Sequence, residues 1–131
     1  MKICEHNVTS VLQFSCSLLV AALPSVAYSQ PVISPRAHIA APDVYKVIAE
    51  GHQQRVMEAV LKPGQRSSAT SHPQGTVTYY LTDCSLKVTE FGVDVDINSP
   101  AGTARITPTI NSRTRLNVGN SDCKMIIVEP Q

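Results

Sequence analysis

The stretch Thr76-Val77-Thr78-Tyr79-Tyr80-Leu81-Thr82 decides the fold. Its residues are almost all β-branched or aromatic, the types that suit a pleated, half-buried surface. Period-two alternation predicts that Val77, Tyr79 and Leu81 point inward while Thr78, Tyr80 and Thr82 point out. On either side the chain repeats the same kind of text. Strands are predicted over 44–48, 55–61, 86–89, 93–97, 104–107, 114–118 and 123–128. Between them lie turn signals such as Glu50-Gly51-His52-Gln53, Lys62-Pro63-Gly64 and Ser99-Pro100-Ala101-Gly102. No segment of helix length carries a 3.6-residue period, and there is no internal repeat or low-complexity tract. About eight short strands at such spacing imply an all-β antiparallel sandwich or barrel.

Composition narrows the function classes. The 131 residues hold 11 Lys+Arg and 10 Asp+Glu, a formal net charge of +1. Phosphate backbones are recognised through a basic surplus, so no nucleic-acid partner is expected. With 43% apolar residues the chain is also too hydrophobic for a disordered polymer.

The first residues read as a targeting segment. From Val8 to Leu23 there is no charge, and Val11, Leu12, Phe14 and Leu18–Leu23 form an apolar run that Pro24 and Ser25 end. The run is shorter than the ~20 residues a bilayer span needs, and Ser25, Ala27 and Ser29 offer small-residue cleavage positions. The expected organisation is a cleavable signal peptide over 1–29, a Pro-containing lead-in arm over 30–42 (Pro31, Pro35, Pro42) with at most a short helix, and one β domain over 43–131. This implies a periplasmic or extracellular location and no stable membrane anchor after processing. Cys4 and Cys16 would leave with the signal, so about 102 residues and two cysteines, Cys84 and Cys123, would remain. In an oxidising compartment an even pair reads as a disulfide, with two separate buried thiols as the alternative.

Two stretches resemble the paired motifs of the cupin family of small jelly-roll barrels. The first motif is Gly-x5-His-x-His-x3–4-Glu-x6-Gly. Here Gly64 opens it, Thr70 and His72 take the two His places, Val77 the Glu place and Cys84 the closing Gly. The second motif is Gly-x5-Pro-x-Gly-x2-His-x3-Asn, matched by Gly102, Pro108, Ile110, Arg113 and Asn117. The resemblance spans roughly residues 43–129 and implies a small antiparallel jelly-roll β-barrel. In that topology the strand after His72 lies antiparallel to the last strand, which would bring Cys84 toward Cys123.

Metal-dependent cupins use the two His and the Glu of the first motif and the His of the second as ligands. The resemblance therefore implies that Thr70, Val77 and Arg113 have replaced three of four ligands, leaving His72. A guanidinium cannot ligate a cation and repels one nearby. The expectation is no cofactor. The alternative is a metal-dependent enzyme of dioxygenase or isomerase type, with a divalent metal at a site rebuilt around His72 from His52, His38 or Glu58.

Arg113, Arg115 and Asn117 share strand parity, and in the family register all three face inward. With His72 and Tyr79 they would line the mouth of an apolar barrel, where Arg113 could anchor a small anionic ligand such as a carboxylate. A one-residue slip would instead turn both arginines to solvent, and a buried Arg without an acidic partner favours the slip. Asp94 and Asp96 read as a solvated sheet face. No Gly-x-Ser-x-Gly elbow and no Gly-rich phosphate loop occurs. The reading is an exported cupin-like binding or structural module without enzyme machinery, with a homodimer as a further form.

Overall fold

Nine strands and one helical turn make up the regular structure of residues 24–131, the part of the chain described by this computed structural model. In chain order they are α1 (Ala37–Ala40), β1 (Tyr45–Glu50), β2 (Gln54–Leu61), β3 (Thr70–His72), β4 (Thr76–Tyr80), β5 (Cys84–Glu90), β6 (Val93–Ser99), β7 (Ala104–Thr107), β8 (Ile110–Asn117) and β9 (Cys123–Pro130). All pairings between strands are antiparallel. A five-stranded sheet has the order β1-β2-β9-β4-β7, and a four-stranded sheet the order β3-β8-β5-β6. The expected all-β antiparallel jelly roll is the observed architecture. Most of the expected signal segment, residues 1–23, lies outside the described residues; 24–29 are exposed and without regular structure.

The core forms where the two inner faces meet. Met57, Ala59 and Leu61 of β2 and Met125 and Ile127 of β9 come from one sheet, and Leu86 and Val88 of β5 from the other. Burial of such side chains contributes roughly 1.5–3 kcal/mol each relative to exposure. The lead-in arm joins this core: Ala37 and Ala41 are fully buried. The Ser34 amide bonds the Asn111 carbonyl and the Ser71 amide the Pro35 carbonyl, both at 2.9 Å.

Strand β4 reverses the expected parity. Thr76, Thr78 and Tyr80 are buried, whereas Tyr79 and Leu81 are 42% and 45% exposed. The cause is its neighbour. β9 buries Cys123, Met125, Ile127 and Glu129, and the register sets Tyr80 beside Met125 and Thr78 beside Ile127. Residues directly opposite on paired strands share a face, so β9 fixes which face of β4 is inside. Val77 therefore does not stand at an inward ligand place; the shorter spacing the motif allows selects Thr76, which is buried.

β3, absent from the expected strand set, pairs with β8 through Thr70 and Arg113 and through His72 and Ile110. Cys84 and Cys123 form a disulfide with Cα atoms 5.0 Å apart. Cys84 opens β5 and Cys123 opens β9, so the bond ties the two sheets together across the core.

Candidate functional site

The strand β8 is in the inward register: Arg113, Arg115 and Asn117 are all buried. The one-residue slip does not occur, because acids and acceptors meet these side chains from other strands. Glu90, at the end of β5, binds the Arg113 guanidinium through both Nε and Nη2. Burial and the neighbouring Arg115 charge pull Arg113 below the ordinary arginine value.

Arg115, 4% exposed, reaches further in. Its Nη1 donates to the Tyr45 hydroxyl at 2.6 Å and lies 3.3 Å from His72 Nε2. Its guanidinium carbon sits 6.0 Å from the Tyr45 ring centre, a cation–π distance. On the other side of the imidazole, His72 Nδ1 is 2.7 Å from Glu129 Oε1. Thr70 Oγ1 is 3.2 Å from Nε2. The neighbours assign the tautomer: Nδ1–H donates to Glu129, and Nε2 accepts from Arg115. Burial is the main cause that pulls the His72 pKa from 6.5 to about 4; Glu129 opposes the shift and Arg115 adds to it.

A pH dependence of stability follows. The folded state keeps His72 neutral down to about pH 4, whereas an unfolded chain protonates it near 6.5. Between those values the unfolded state binds the extra proton, so stability is present above pH 6.5 and is lost as the pH falls toward 4. The loss from this group is about 3 kcal/mol. Urea unfolding at a series of pH values is expected to show this slope flattening below about pH 4, and His72→Gln is expected to remove this component.

A cavity of about 320 Å³ opens beside Arg115. Its polar wall consists of Thr78, Thr107, Arg105, Arg113 and Arg115, and its apolar wall includes Leu86, Val88, Ile97 and Ile106. Thr78 is 2% exposed, yet its Oγ1 has no hydrogen-bond partner. An unpaired buried hydroxyl costs about 1–3 kcal/mol, and this one belongs to a residue of the cavity wall.

Of the five expected binding residues, Arg113 and Arg115 line this cavity. Arg115 also joins His72 in the network behind it. Tyr79 is on the outer face, turned there by the β9 register. Asn117 is buried but spent on the fold: its Nδ2 donates to the Leu61 and Ser121 carbonyls, both at 2.8 Å, and its Oδ1 accepts from the Gly119 amide at 2.9 Å. Sequence reasoning missed Glu129, Tyr45, Glu90 and Thr78. For Glu129 a signal existed, since it shares parity with Met125 and Ile127 on a strand whose inner face is otherwise apolar.

The donor set does not suit a divalent cation. Both His72 nitrogens are engaged, and a cation at Nε2 would stand beside the Arg115 guanidinium. Glu58 and His52 are exposed, and His38 Nδ1 lies 3.3 Å from Arg55. Among the described residues no group of three or more His, Cys, Asp or Glu is placed to hold a metal ion.

No family model and no curated protein matches the chain. Solved structures do match. A cupin domain from Bordetella pertussis Tohama I superposes with a TM-score of 0.63 at 16% identity, covering 79% of this chain and 99% of that one. A conserved protein with a double-stranded β-helix domain from Klebsiella pneumoniae gives 0.54 at 20% identity, over 66% of this chain and 76% of its own. An RmlC-like cupin family protein from Methanocaldococcus jannaschii gives 0.54 at 12% identity, over 66% and 78%. The fold is therefore that of the cupins, the double-stranded β-helix.

Proposed function

We propose that the chain is an exported, metal-free cupin-fold binding protein that takes a small organic anion in the cavity beside Arg115. The observation that carries this reading is Arg115 itself. It is a buried cation on the cavity wall whose hydrogen-bonded side-chain neighbours are a hydroxyl and an imidazole rather than a carboxylate. Arg113 also faces the cavity, but Glu90 already takes its charge, so Arg115 replaces Arg113 as the expected anchor. A carboxylate supplies the missing acceptor, and a charge-assisted hydrogen bond to a guanidinium is stronger than one between neutral groups. The Thr78 hydroxyl would donate to the same ligand. The Cys84–Cys123 bond is compatible with an oxidising, exported location.

Calorimetric titration with small carboxylates tests this. Arg115→Met is expected to weaken binding roughly 10- to 100-fold, the range of one hydrogen bond to a charged group. Arg115 also serves the fold, so Thr78→Val gives a second readout. It removes the orphan hydroxyl at nearly constant shape and is expected to leave stability unchanged or raised while weakening binding about 2- to 10-fold. An absence of binding by any carboxylate, or binding that neither variant alters, overturns the reading.

A further inference from the structure

The cavity beside Arg115 has a neighbour. A groove of about 220 Å³ is lined by Val88, Glu90, Val93, Val95, Ile97 and Arg113, and it shares Val88, Ile97 and Arg113 with the cavity. The groove exists because β6 is an edge strand. Its alternation puts Val93, Val95, Ile97 and Ser99 on one face and Asp94 and Asp96 on the other. Ser99 is buried and Ile97 packs on the core, so the valines belong to the inner face. β6 and the short β7 end their respective sheets and are not hydrogen-bonded to one another. Val93 and Val95 therefore stay uncovered at 61% and 54% exposure.

A polar, cationic chamber thus adjoins an apolar trough, with Val88, Ile97 and Arg113 common to both. We infer that the preferred ligand is an amphipathic anion, a monocarboxylate bearing an extended aliphatic chain, with its head at Arg115 and Thr78 and its tail along Val88, Val93, Val95 and Ile97. This rests on the anion reading above and adds the ligand class. A small hydrophilic acid fills the chamber and leaves the valine stripe wet. An acid of medium chain length satisfies the orphan hydroxyl and covers the stripe together. The groove's own charge is that of Glu90 and Arg113, which bind one another, so its floor carries no free charge to repel a hydrocarbon tail.

The test is a titration of the purified protein with acetate, butyrate, hexanoate, octanoate and decanoate, each below its aggregation concentration. Affinity is expected to rise about three- to fourfold per methylene, the value of a fully buried CH₂, and to level off once the groove is filled. Val95→Asp, at an exposed edge position, is expected to flatten that dependence, with a loss of affinity that grows with chain length. Equal affinity for all chain lengths, or the same dependence in Val95→Asp, overturns the tail site while the anion site stands. Failure of every acid to bind overturns the anion site first. A concentration-dependent dimer in size-exclusion runs that Val95→Asp dissolves assigns the stripe to a second copy of the chain and also overturns the inference.

Discussion

Replacing Glu129 with leucine is expected to lower the unfolding free energy by about 3–5 kcal/mol, the usual effect of removing one partner from a buried charged network. Glu129 is fully buried, and its Oε1 accepts the Nδ1–H of His72. Arg115 stands at the opposite nitrogen of the same ring, so the imidazole links an acid and a base that do not touch. Leucine strands the buried imidazole N–H and takes away the carboxylate on the far side of the ring from Arg115. Glu129→Gln separates the two contributions: the amide oxygen still accepts from His72, so only the charge is lost, and a smaller effect of about 1–2 kcal/mol is expected. Equilibrium urea unfolding of the three proteins measures the difference. Equal losses for Leu and Gln would mean that charge alone matters; no loss for either would show that the network contributes nothing to stability.

Removal of the disulfide has a comparable expected effect. The bond closes a segment with a sequence separation of 39 residues, for which loop-closure entropy predicts about 4 kcal/mol. That is a large fraction of the ~5–15 kcal/mol typical of a domain. Both sulfurs lie in the core, so Cys84→Ala/Cys123→Ala adds a modest packing loss. Unfolding midpoints of the double variant and of the reduced native protein are expected to fall together. A reduced protein as stable as the oxidised one would show that the sheets hold without the bond.

The architecture was legible because alternation and turn residues are local properties, and eight of the nine strands announce themselves that way. β3 did not: three residues in the run Ser67-Ser68-Ala69-Thr70-Ser71-His72-Pro73 carry no apolar pattern, and their strand geometry comes from pairing with β8. The facing of β4 was misread for a related reason. It has bulky residues at both parities, Val77 and Tyr79 against Tyr80, and only the packed face of β9 decides between them. The site divides the same way. The inward positions of Arg113 and Arg115 follow from strand parity, but what makes their burial tolerable comes from distant strands. Glu90 is 23 residues from Arg113, and Glu129 is 57 from His72. Asn117 shows the converse, a residue whose position was readable and whose use was not: its amide fastens the end of β8 to the end of β2.

The place of β9 in the five-stranded sheet has a kinetic meaning. It follows the other eight strands in chain order, yet it lies between β2 and β4 and hydrogen-bonds to both. Until Cys123–Pro130 arrives, the hairpin β1–β2 and the pair β4–β7 have no common partner, His72 lacks its carboxyl acceptor, and Cys84 has no second sulfur to meet. The four-stranded sheet pairs without it, so what β9 closes is the five-stranded sheet, and such non-local pairing makes that step slow relative to local structure formation. A chain made only as far as β8 can therefore complete one sheet and leave the other in two halves, with Cys84 still without Cys123.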